Sequence, residues 1–178
     1  MKTNRRSIFN QLSSLLIIII NMKKLLKTSS VLVIIVGIVL IVGGIWGACL
    51  TYKNVARENI VTPDDASVPN QPVRGPWTLY SEADIIREHT LDSTGGKTFA
   101  EMPRQIPKID ENGVAVLDEE GKAVMTSNTA RDIWITATTL ITALDLGIIS
   151  YAFSGFALLL GLILVLIGTV FCALSRRY

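Results

Sequence analysis

Two long apolar stretches without a charged residue constrain this chain more than any other feature. They are residues 31–50 (VLVIIVGIVLIVGGIWGACL) and residues 146–174, in a chain of 178 residues. A helix needs about 20 apolar residues to cross the roughly 30 Å hydrocarbon core of a bilayer, and both stretches reach that length. The sequence therefore predicts two transmembrane helices, over 31–51 and 146–174.

The distribution of charge predicts how these helices are oriented. All fifteen acidic residues lie between the two stretches, whereas the flanking ends carry only bases, and basic flanks stay in the cytoplasm. We expect a plasma-membrane protein with a basic cytoplasmic N-terminus over 1–30, a cytoplasmic tail over 175–178 and residues 52–145 outside. Residues 51–147 hold nine bases against fifteen acids, a net charge of −6, which argues against nucleic-acid binding.

The N-terminal region leaves two alternatives open. Residues 12–20 are apolar but too short to span a bilayer. Translation could start at Met22, which lysines and a long apolar run follow, leaving residues 1–21 untranslated. Otherwise residues 8–20 would form a short helix at the cytoplasmic surface. A lipoprotein signal ending at Cys49 is disfavoured because the apolar run is longer than such signals have, so we expect a retained anchor.

Small residues recur at intervals of seven in both predicted spans. The two series are Ser30, Gly37, Gly44 and Thr51 in the first span, and Gly147, Ser154, Gly161 and Gly168 in the second. A seven-residue period keeps a stripe facing one partner, and small residues let helix backbones approach in lipid. We expect the stripes to face each other. Gly43 and Gly47 add a candidate dimer face, so the predicted partners are the lipid bilayer and a protein partner or second copy bound through glycine-faced helices.

The segment between the spans predicts a small α+β domain. It begins with an irregular proline-rich stretch (62–76), followed by a helix (82–93) that Ser81 caps and that Gly95 and Gly96 end. A β-hairpin or three-stranded ribbon (108–125) comes next, with turns at Asn112-Gly113 and Asp118–Gly121 and strands at Val114–Leu117 and Ala123–Met125. The last element is a helix (130–145) that continues into the second span. The apolar face of the last helix comprises Ile133, Ala137, Leu140, Ile141 and Leu144. The predicted fold is thus a mostly α membrane protein, a two-helix transmembrane hairpin with a small α+β extracytoplasmic domain inserted between the spans.

The sequence DSTGGKTF (92–99) contains the Gly-Lys-Thr of a phosphate-binding loop. Such a loop requires a glycine where this chain has Leu91, and it follows a buried strand rather than a helix. We therefore expect no nucleotide and interpret the glycines as the end of the preceding helix. Lys97 is predicted to pair with Asp92, with Glu101 or with lipid headgroups.

The titratable residues do not form a recognisable catalytic set. His89 is the only histidine, so one chain cannot supply a two-histidine iron site or a three-histidine zinc site. Cys49 and Cys172 are predicted at opposite membrane faces, too far apart for a disulfide. Asp145 is expected in water at the outer headgroup level. We predict no catalytic, cofactor-binding or metal residues.

Several motifs of the outer segment resemble a family of small membrane proteins. The motifs are ENIVTPDDA (58–66), V-x-G-P-x-T (73–78), A-x-I-I-x-x-H-x-L (83–91) and TGGKTFAEM (94–102), followed by the long final helix. Together they resemble a two-transmembrane-helix family, mainly actinobacterial, whose members often carry the automated label "aromatic ring-opening dioxygenase". The resemblance covers roughly residues 44–107 and 126–170, with 108–125 as an insertion.

The resemblance implies a shared fold and location rather than a reaction. Ring cleavage needs a non-haem iron site, and the chain lacks its usual ligands. The leading expectation is an envelope-associated structural or interaction module that is not an enzyme. The alternative is an enzyme, or an accessory subunit of one, acting on an envelope or aromatic substrate; it predicts a metal or a deep pocket around His89 and Lys97.

Overall fold

The structure is a computed structural model that describes the backbone of residues 2–177 and the side chains of residues 20–177. Its elements are, in chain order, α1 (Lys2–Arg57), α2 (Pro76–Ser93), β1 (Gln105–Pro107), β2 (Met125–Ser127) and α3 (Thr129–Arg177). Two helical segments, Ile20–Arg57 and Thr129–Arg177, are long and apolar enough to cross a membrane. The mostly helical character and the two apolar helices confirm that part of the predicted fold class.

The chain divides into two compact units, and the first comprises Met1–Leu50 with Ser150–Tyr178. Within it, a Cβ built on Gly168 would lie 3.1 Å from the carbonyl oxygen of Ser30, and one built on Gly44 would lie 2.8 Å from that of Ser154. The two backbones therefore touch where side chains are small. The later a residue occurs in α1, the earlier its partner occurs in α3, so these segments pack antiparallel. The prediction that the stripes face each other is confirmed at these positions.

The other glycines of this unit differ in their surroundings. A Cβ on Gly43 or on Gly155 would meet no atom within 4 Å, whereas one on Gly47 would lie 2.8 Å from the Oγ of Ser154. The Gly43–Gly47 pair therefore does not present one common open face, because Gly47 packs against Ser154 of α3. Cys49 and Cys172 are both free thiols.

The second unit, Thr51–Ile149, contains the core of the region between the apolar stretches. Its buried apolar side chains are Ala66, Val73, Leu79, Ala83, Ile85, Met102, Ala137, Ile141 and Leu144. Gly147 lies at one end of this core, where an added Cβ would be 3.1 Å from Leu79 and 3.8 Å from Val55. The small-residue stripe of α3 thus continues into this unit, where it accommodates α2 and the end of α1.

Helix α2 begins at Pro76, six residues before the predicted start at residue 82. The predicted cap, Ser81, is instead buried inside the helix, and its Oγ accepts a hydrogen bond of 2.9 Å from the amide of Val68. Proline is well suited to the first position of a helix because the amide it lacks would have no helical partner there. The sequence Ser-x-x-Asp resembled a cap, but Ser81 is used to hold the preceding loop.

The C-terminal end of α2 has the predicted glycine geometry. Gly95 and Gly96 have φ angles of 63° and 74°. The amide of Gly96 donates to the carbonyl of Leu91 at 2.7 Å, and that of Gly95 donates to the carbonyl of Asp92 at 3.2 Å. These two bonds form a Schellman motif, which satisfies carbonyls that the helix end leaves unpaired. Glycine is required because its left-handed backbone carries no Cβ penalty.

The proline-rich loop between α1 and α2 is irregular, as predicted, but it is closed upon itself. Val61 forms an antiparallel bridge with Pro72, and Thr62 is 1% exposed at the centre of the loop. The Thr62 Oγ1 accepts a hydrogen bond of 2.9 Å from the amide of Gln71, and it lies within bonding distance of the carbonyl of Val68. One buried threonine therefore holds the two sides of the loop together.

The predicted strands Val114–Leu117 and Ala123–Met125 pair only through the Leu117–Ala123 bridge and one backbone hydrogen bond, and the regular strands lie at the two ends of the ribbon. β1 pairs antiparallel with β2, with Ile106 opposite Thr126. Residues 108–124 between them form only isolated bridges, Ile109 with Ala115 and Leu117 with Ala123. These residues are a tandem repeat of eight, IDENGVAV (109–116) followed by LDEEGKAV (117–124). Each repeat is too short to hold more than a turn and its closing bridge.

Both repeats fold into the same turn. In each one the Oδ1 of an aspartate accepts hydrogen bonds from two backbone amides. Asp110 accepts from Asn112 and Val114, and Asp118 accepts from Glu120 and Lys122. The loops contain three residues and end on a glycine with φ near 80°. They are therefore turns with a glycine bulge, not the predicted two-residue turn, which would require a positive φ at its asparagine.

Three equivalent positions, eight residues apart, connect the ribbon. Lys108 donates its amide to the carbonyl of Val124 at 2.7 Å, Val124 donates to Val116 at 2.8 Å, and Val116 donates to Lys108 at 2.9 Å. The backbone hydrogen bonds thus form a closed triangle at the base of the two turns. This triangle links the two turns to the β1–β2 pair.

The first turn of α3 is capped one residue before Thr129, the cap that Thr-Ala-Arg-Asp (129–132) predicts. Asn128, not Thr129, supplies the cap: its Oδ1 accepts the amide of Ala130 at 3.1 Å, and its Nδ2 donates to the carbonyl of Pro103. Of the predicted apolar face, Ala137, Ile141 and Leu144 are buried, but Ile133 and Leu140 are each 47% exposed. The face packed on the core is therefore narrower than predicted.

Candidate functional site

The Gly-Lys-Thr sequence forms a structural turn. The amides of Gly95 and Gly96 donate to helix carbonyls, and Thr94 Oγ1 donates to the carbonyl of Lys97 at 2.7 Å. A phosphate-binding loop presents such amides to its ligand. Here they are already used within the chain, which agrees with the interpretation of the glycines as a helix end.

Glu101 binds Thr98 rather than Lys97. Its Oε2 accepts the Thr98 amide at 2.7 Å and the Thr98 hydroxyl at 2.8 Å, and these two bonds lower the pKa of the Glu101 carboxyl. Among residues 20–177, no carboxylate lies within 4.0 Å of the ammonium group of Lys97. Lys97 therefore forms no direct ion pair with Asp92 or Glu101, although its charge adds to the lowering of the Glu101 pKa. Contact with lipid headgroups stays a prediction.

His89 connects α2 to the proline-rich loop. Its Nε2 lies 2.7 Å from the Oδ2 of Asp65, and both side chains are about half exposed. The hydrogen bond to Asp65 raises the pKa of His89, and the same bond lowers the pKa of Asp65. The loop brings Asp65 to His89 from 24 residues away in the chain.

Glu82 is a buried carboxyl with an unsatisfied oxygen. The residue is 8% exposed, and its Oε2 has no hydrogen-bond partner within the described part of the chain. Burial raises the pKa of Glu82, because the charged form loses water, and the positive charge of His89 offsets this only in part. Nothing in the sequence marks this residue, since a glutamate in the first half of an amphipathic helix is ordinarily exposed.

An apolar groove of about 590 Å³ runs along the outer face of α3. Its lining residues are Phe99, Trp134, Ile135, Thr138, Thr139, Thr142, Ala143 and Leu146. Seven of these eight residues belong to α3 and recur every three to four positions, so they form one continuous stripe. The eighth, Phe99, comes from the loop after α2 and forms one wall. The groove is comparable in volume with small-molecule sites in other proteins.

A recess of about 420 Å³ adjoins the groove and shares Phe99 and Ile135 with it. Its other lining residues are Arg104, Ser127, Asn128, Arg131 and Asp132. The apolar groove therefore ends beside a polar recess that contains two guanidinium groups and one carboxylate. Among the described side chains, neither arginine has an ion-pair partner within 4.0 Å.

Arg131 fixes the wall between the groove and the recess. Its guanidinium lies 3.7 Å from the centroid of the Phe99 ring, and its Nη1 donates to the carbonyls of Phe99 and Met102. A guanidinium over an aromatic face is attracted by the ring quadrupole. The loop 94–104 is thereby held against α3, with Phe99 fixed at the border. The sequence signal for this site was the series Arg131, Ile135, Thr138 and Thr142 on one helix face.

The alternative of an enzyme predicted a pocket around His89 and Lys97, and the groove and the recess lie apart from these two residues. Neither His89 nor Lys97 lines the groove or the recess. Within the described residues, no group of three or more histidine, cysteine, aspartate or glutamate side chains could hold a metal ion. Asp145 is exposed, and its position at the outer headgroup level stays a prediction.

Comparison of the chain with protein-family models, with curated proteins and with solved structures found no match.

Proposed function

We propose that the chain is a two-span plasma-membrane protein whose segment 52–145 lies outside the membrane and acts as an envelope-associated binding module. Two apolar helical segments, the close packing of their small-residue stripes and the concentration of all acids between them support this proposal. The resemblance to a family of two-span membrane proteins supports the same location.

The observation that carries the binding role is the groove on α3. Seven consecutive positions of its stripe, from Trp134 to Leu146, leave an apolar surface open beside two arginines. Apolar surface that remains exposed beside a polar border is typical of a binding site. Its boundaries are fixed by Arg131 and Phe99, so the surface is formed before any ligand arrives.

Thiol labelling tests the location. Cys49 and Cys172 are first replaced by alanine, and a single cysteine is then introduced at Asn112 or at Lys24, two exposed positions. A membrane-impermeant maleimide added to intact cells is expected to label Asn112→Cys and to leave Lys24→Cys unlabelled until the membrane is opened. Labelling of Lys24→Cys in intact cells would refute the orientation.

Photocrosslinking tests the binding role. A photoreactive amino acid is placed at Thr139 in the groove or, as a control, at Arg87 on the exposed face of α2. Irradiation of intact membranes is expected to yield a discrete adduct from position 139 and none from position 87. If neither position, or both equally, forms adducts, the groove is not a binding site.

A further inference from the structure

Two of the three threonine hydroxyls that line the groove already have hydrogen-bond partners within α3. The hydroxyls of Thr139 and Thr142 donate to the carbonyls of Ile135 and Thr138, four residues earlier, at 2.9 and 2.7 Å. A ligand in the groove therefore need not pair with these hydroxyl hydrogens. A hydrocarbon chain can occupy such a surface without leaving them unsatisfied, which would otherwise be costly.

The length of the groove matches that of an acyl chain in one bilayer leaflet. From Trp134 to Leu146 the helix rises about 18 Å, at 1.5 Å per residue. An acyl chain that fills one leaflet is about 15 Å long, half of the roughly 30 Å hydrocarbon core. The groove lies in the segment proposed to be outside the membrane, so it can hold one chain of a lipid that has been drawn out of the bilayer. Leu146 is also the first residue of the uncharged stretch 146–174, so the groove is continuous along α3 with the predicted span.

The charge at the far end of the groove favours an anionic headgroup. Arg104 is exposed and Arg131 faces the same recess, where Asp132 is the only carboxylate among the lining residues. The segment as a whole is acidic, but charges farther away than about 8–10 Å are largely screened at physiological salt. Guanidinium groups bind phosphate oxygens through paired hydrogen bonds, so a phosphate fits this recess.

We infer that the groove and the recess together bind an anionic phospholipid from the bilayer, with one acyl chain along Trp134–Leu146 and the phosphate at Arg104 and Arg131. This inference rests on the proposed binding function and specifies its ligand. A zwitterionic lipid offers the same acyl chain and phosphate but adds a cation, which Asp132 alone would have to accommodate beside two arginines.

The experiment uses the full chain in vesicles that contain phosphatidylglycerol or phosphatidylcholine with a photoactivatable acyl chain. Labelled peptides are quantified by mass spectrometry for residues 134–146 and for residues 150–172, which serve as an internal reference for ordinary lipid contact. Phosphatidylglycerol is expected to label 134–146 about tenfold more than phosphatidylcholine does, because the two arginines repel the choline cation; a tenfold ratio corresponds to about 1.4 kcal/mol. Both lipids should label 150–172 alike.

Two variants and a matched control make the test specific. Arg104→Gln is expected to abolish the preference for phosphatidylglycerol, and Arg87→Gln, also at an exposed arginine, to retain it. Ala143→Phe fills the groove and is expected to lower labelling of 134–146 without changing that of 150–172. Arg131 is left intact because its contacts hold the loop 94–104 and its replacement could unfold the site.

The outcomes separate this inference from the proposed function. Equal labelling of 134–146 by both lipids, or a preference that survives Arg104→Gln, overturns the inference. A protein adduct from position 139, or an adduct with a second copy of the chain, also overturns it but leaves the binding module in place. The absence of any specific adduct at position 139 overturns both.

Discussion

The carbonyl oxygen of Gly37 lies 2.7 Å from the position that a Cβ on Gly161 would occupy, and the carbonyl oxygen of Gly161 lies 2.8 Å from the Cβ position of Gly37. Each glycine thus makes room for the backbone of the other. We expect Gly37→Ala or Gly161→Ala to destabilise the detergent-purified protein by about 1–3 kcal/mol, because the added methyl group forces the backbones apart.

Gly43 and Gly155 provide matched controls on the same two helices, since a Cβ at either would meet nothing within 4 Å. Alanine there should be neutral or slightly stabilising, because glycine costs about 0.5–1 kcal/mol in a helix relative to alanine. The measurement is thermal unfolding of the four variants in one detergent. Equal effects at Gly37 and Gly43 would show that the close approach is not what stabilises the pair.

Thr62→Val removes the hydroxyl that holds the proline-rich loop closed while it retains the shape of the side chain. The amide of Gln71 then loses an acceptor that it contacts at 2.9 Å. Loss of this part-buried hydrogen bond is expected to cost about 0.5–1.5 kcal/mol, which should be seen in thermal unfolding. Thr136→Val, at an exposed threonine of α3, should change stability by less than about 0.5 kcal/mol.

His89 should titrate above its ordinary pKa of 6.5, because the bond to Asp65 favours its protonated form. The chain has no other histidine, so one imidazole resonance in a magnetic resonance titration reports this value directly. In Asp65→Asn the pKa should fall toward 6.5. An identical titration in both proteins would show that the pair is not formed in solution.

The same pair predicts how stability depends on pH. The raised pKa of His89 adds stability below pH 6.5, which is lost as pH rises through the folded-state pKa. The lowered pKa of Asp65 adds stability above pH 3.8, which is lost as pH falls through its folded-state value. The difference in melting temperature between the wild type and Asp65→Asn should therefore be largest between pH 3.8 and 6.5.

Glu82 is expected to lower the stability of the folded state at neutral pH, in contrast to the His89–Asp65 pair. Its pKa is raised above the ordinary 4.5, so the folded state retains a proton that the unfolded chain has lost. Stability should fall as pH rises from 4.5 through the folded-state pKa and stay low above it. Glu82→Gln should raise the melting temperature at pH 7 and flatten this dependence, whereas Glu88→Gln, at an exposed position of the same helix, should do neither.

The sequence predicted best where one local rule governs the structure. The apolar stretches, the heptad spacing of small residues and the glycines after α2 each follow from lipid thickness, helix periodicity or backbone sterics. Those features are present. The start of α2 was mispredicted because Ser81 could serve either as a cap or as a buried partner of Val68, and only packing decides between them.

The candidate site depended on contacts between residues far apart in the chain. Phe99 and Arg131 are 32 residues apart, and Asp65 and His89 are 24 apart. Helix or strand periodicity does not predict such contacts, because the conformation of the loops brings these residues together. The groove itself was open to prediction from the stripe on α3, but the predicted apolar face comprised Ile133, Ala137, Leu140, Ile141 and Leu144, none of which lines the groove.

The triangle formed by Lys108, Val116 and Val124 permits the ribbon to change length by whole repeats. Without residues 117–124, Val116 could take the place of Val124 opposite Lys108, and the two would pair as ordinary neighbours in a hairpin. β1 and β2 would still meet, because the residues that flank the repeats are unchanged. Duplication or loss of a 24-nucleotide segment is therefore a route by which the ribbon can be lengthened or shortened without disturbing the helices.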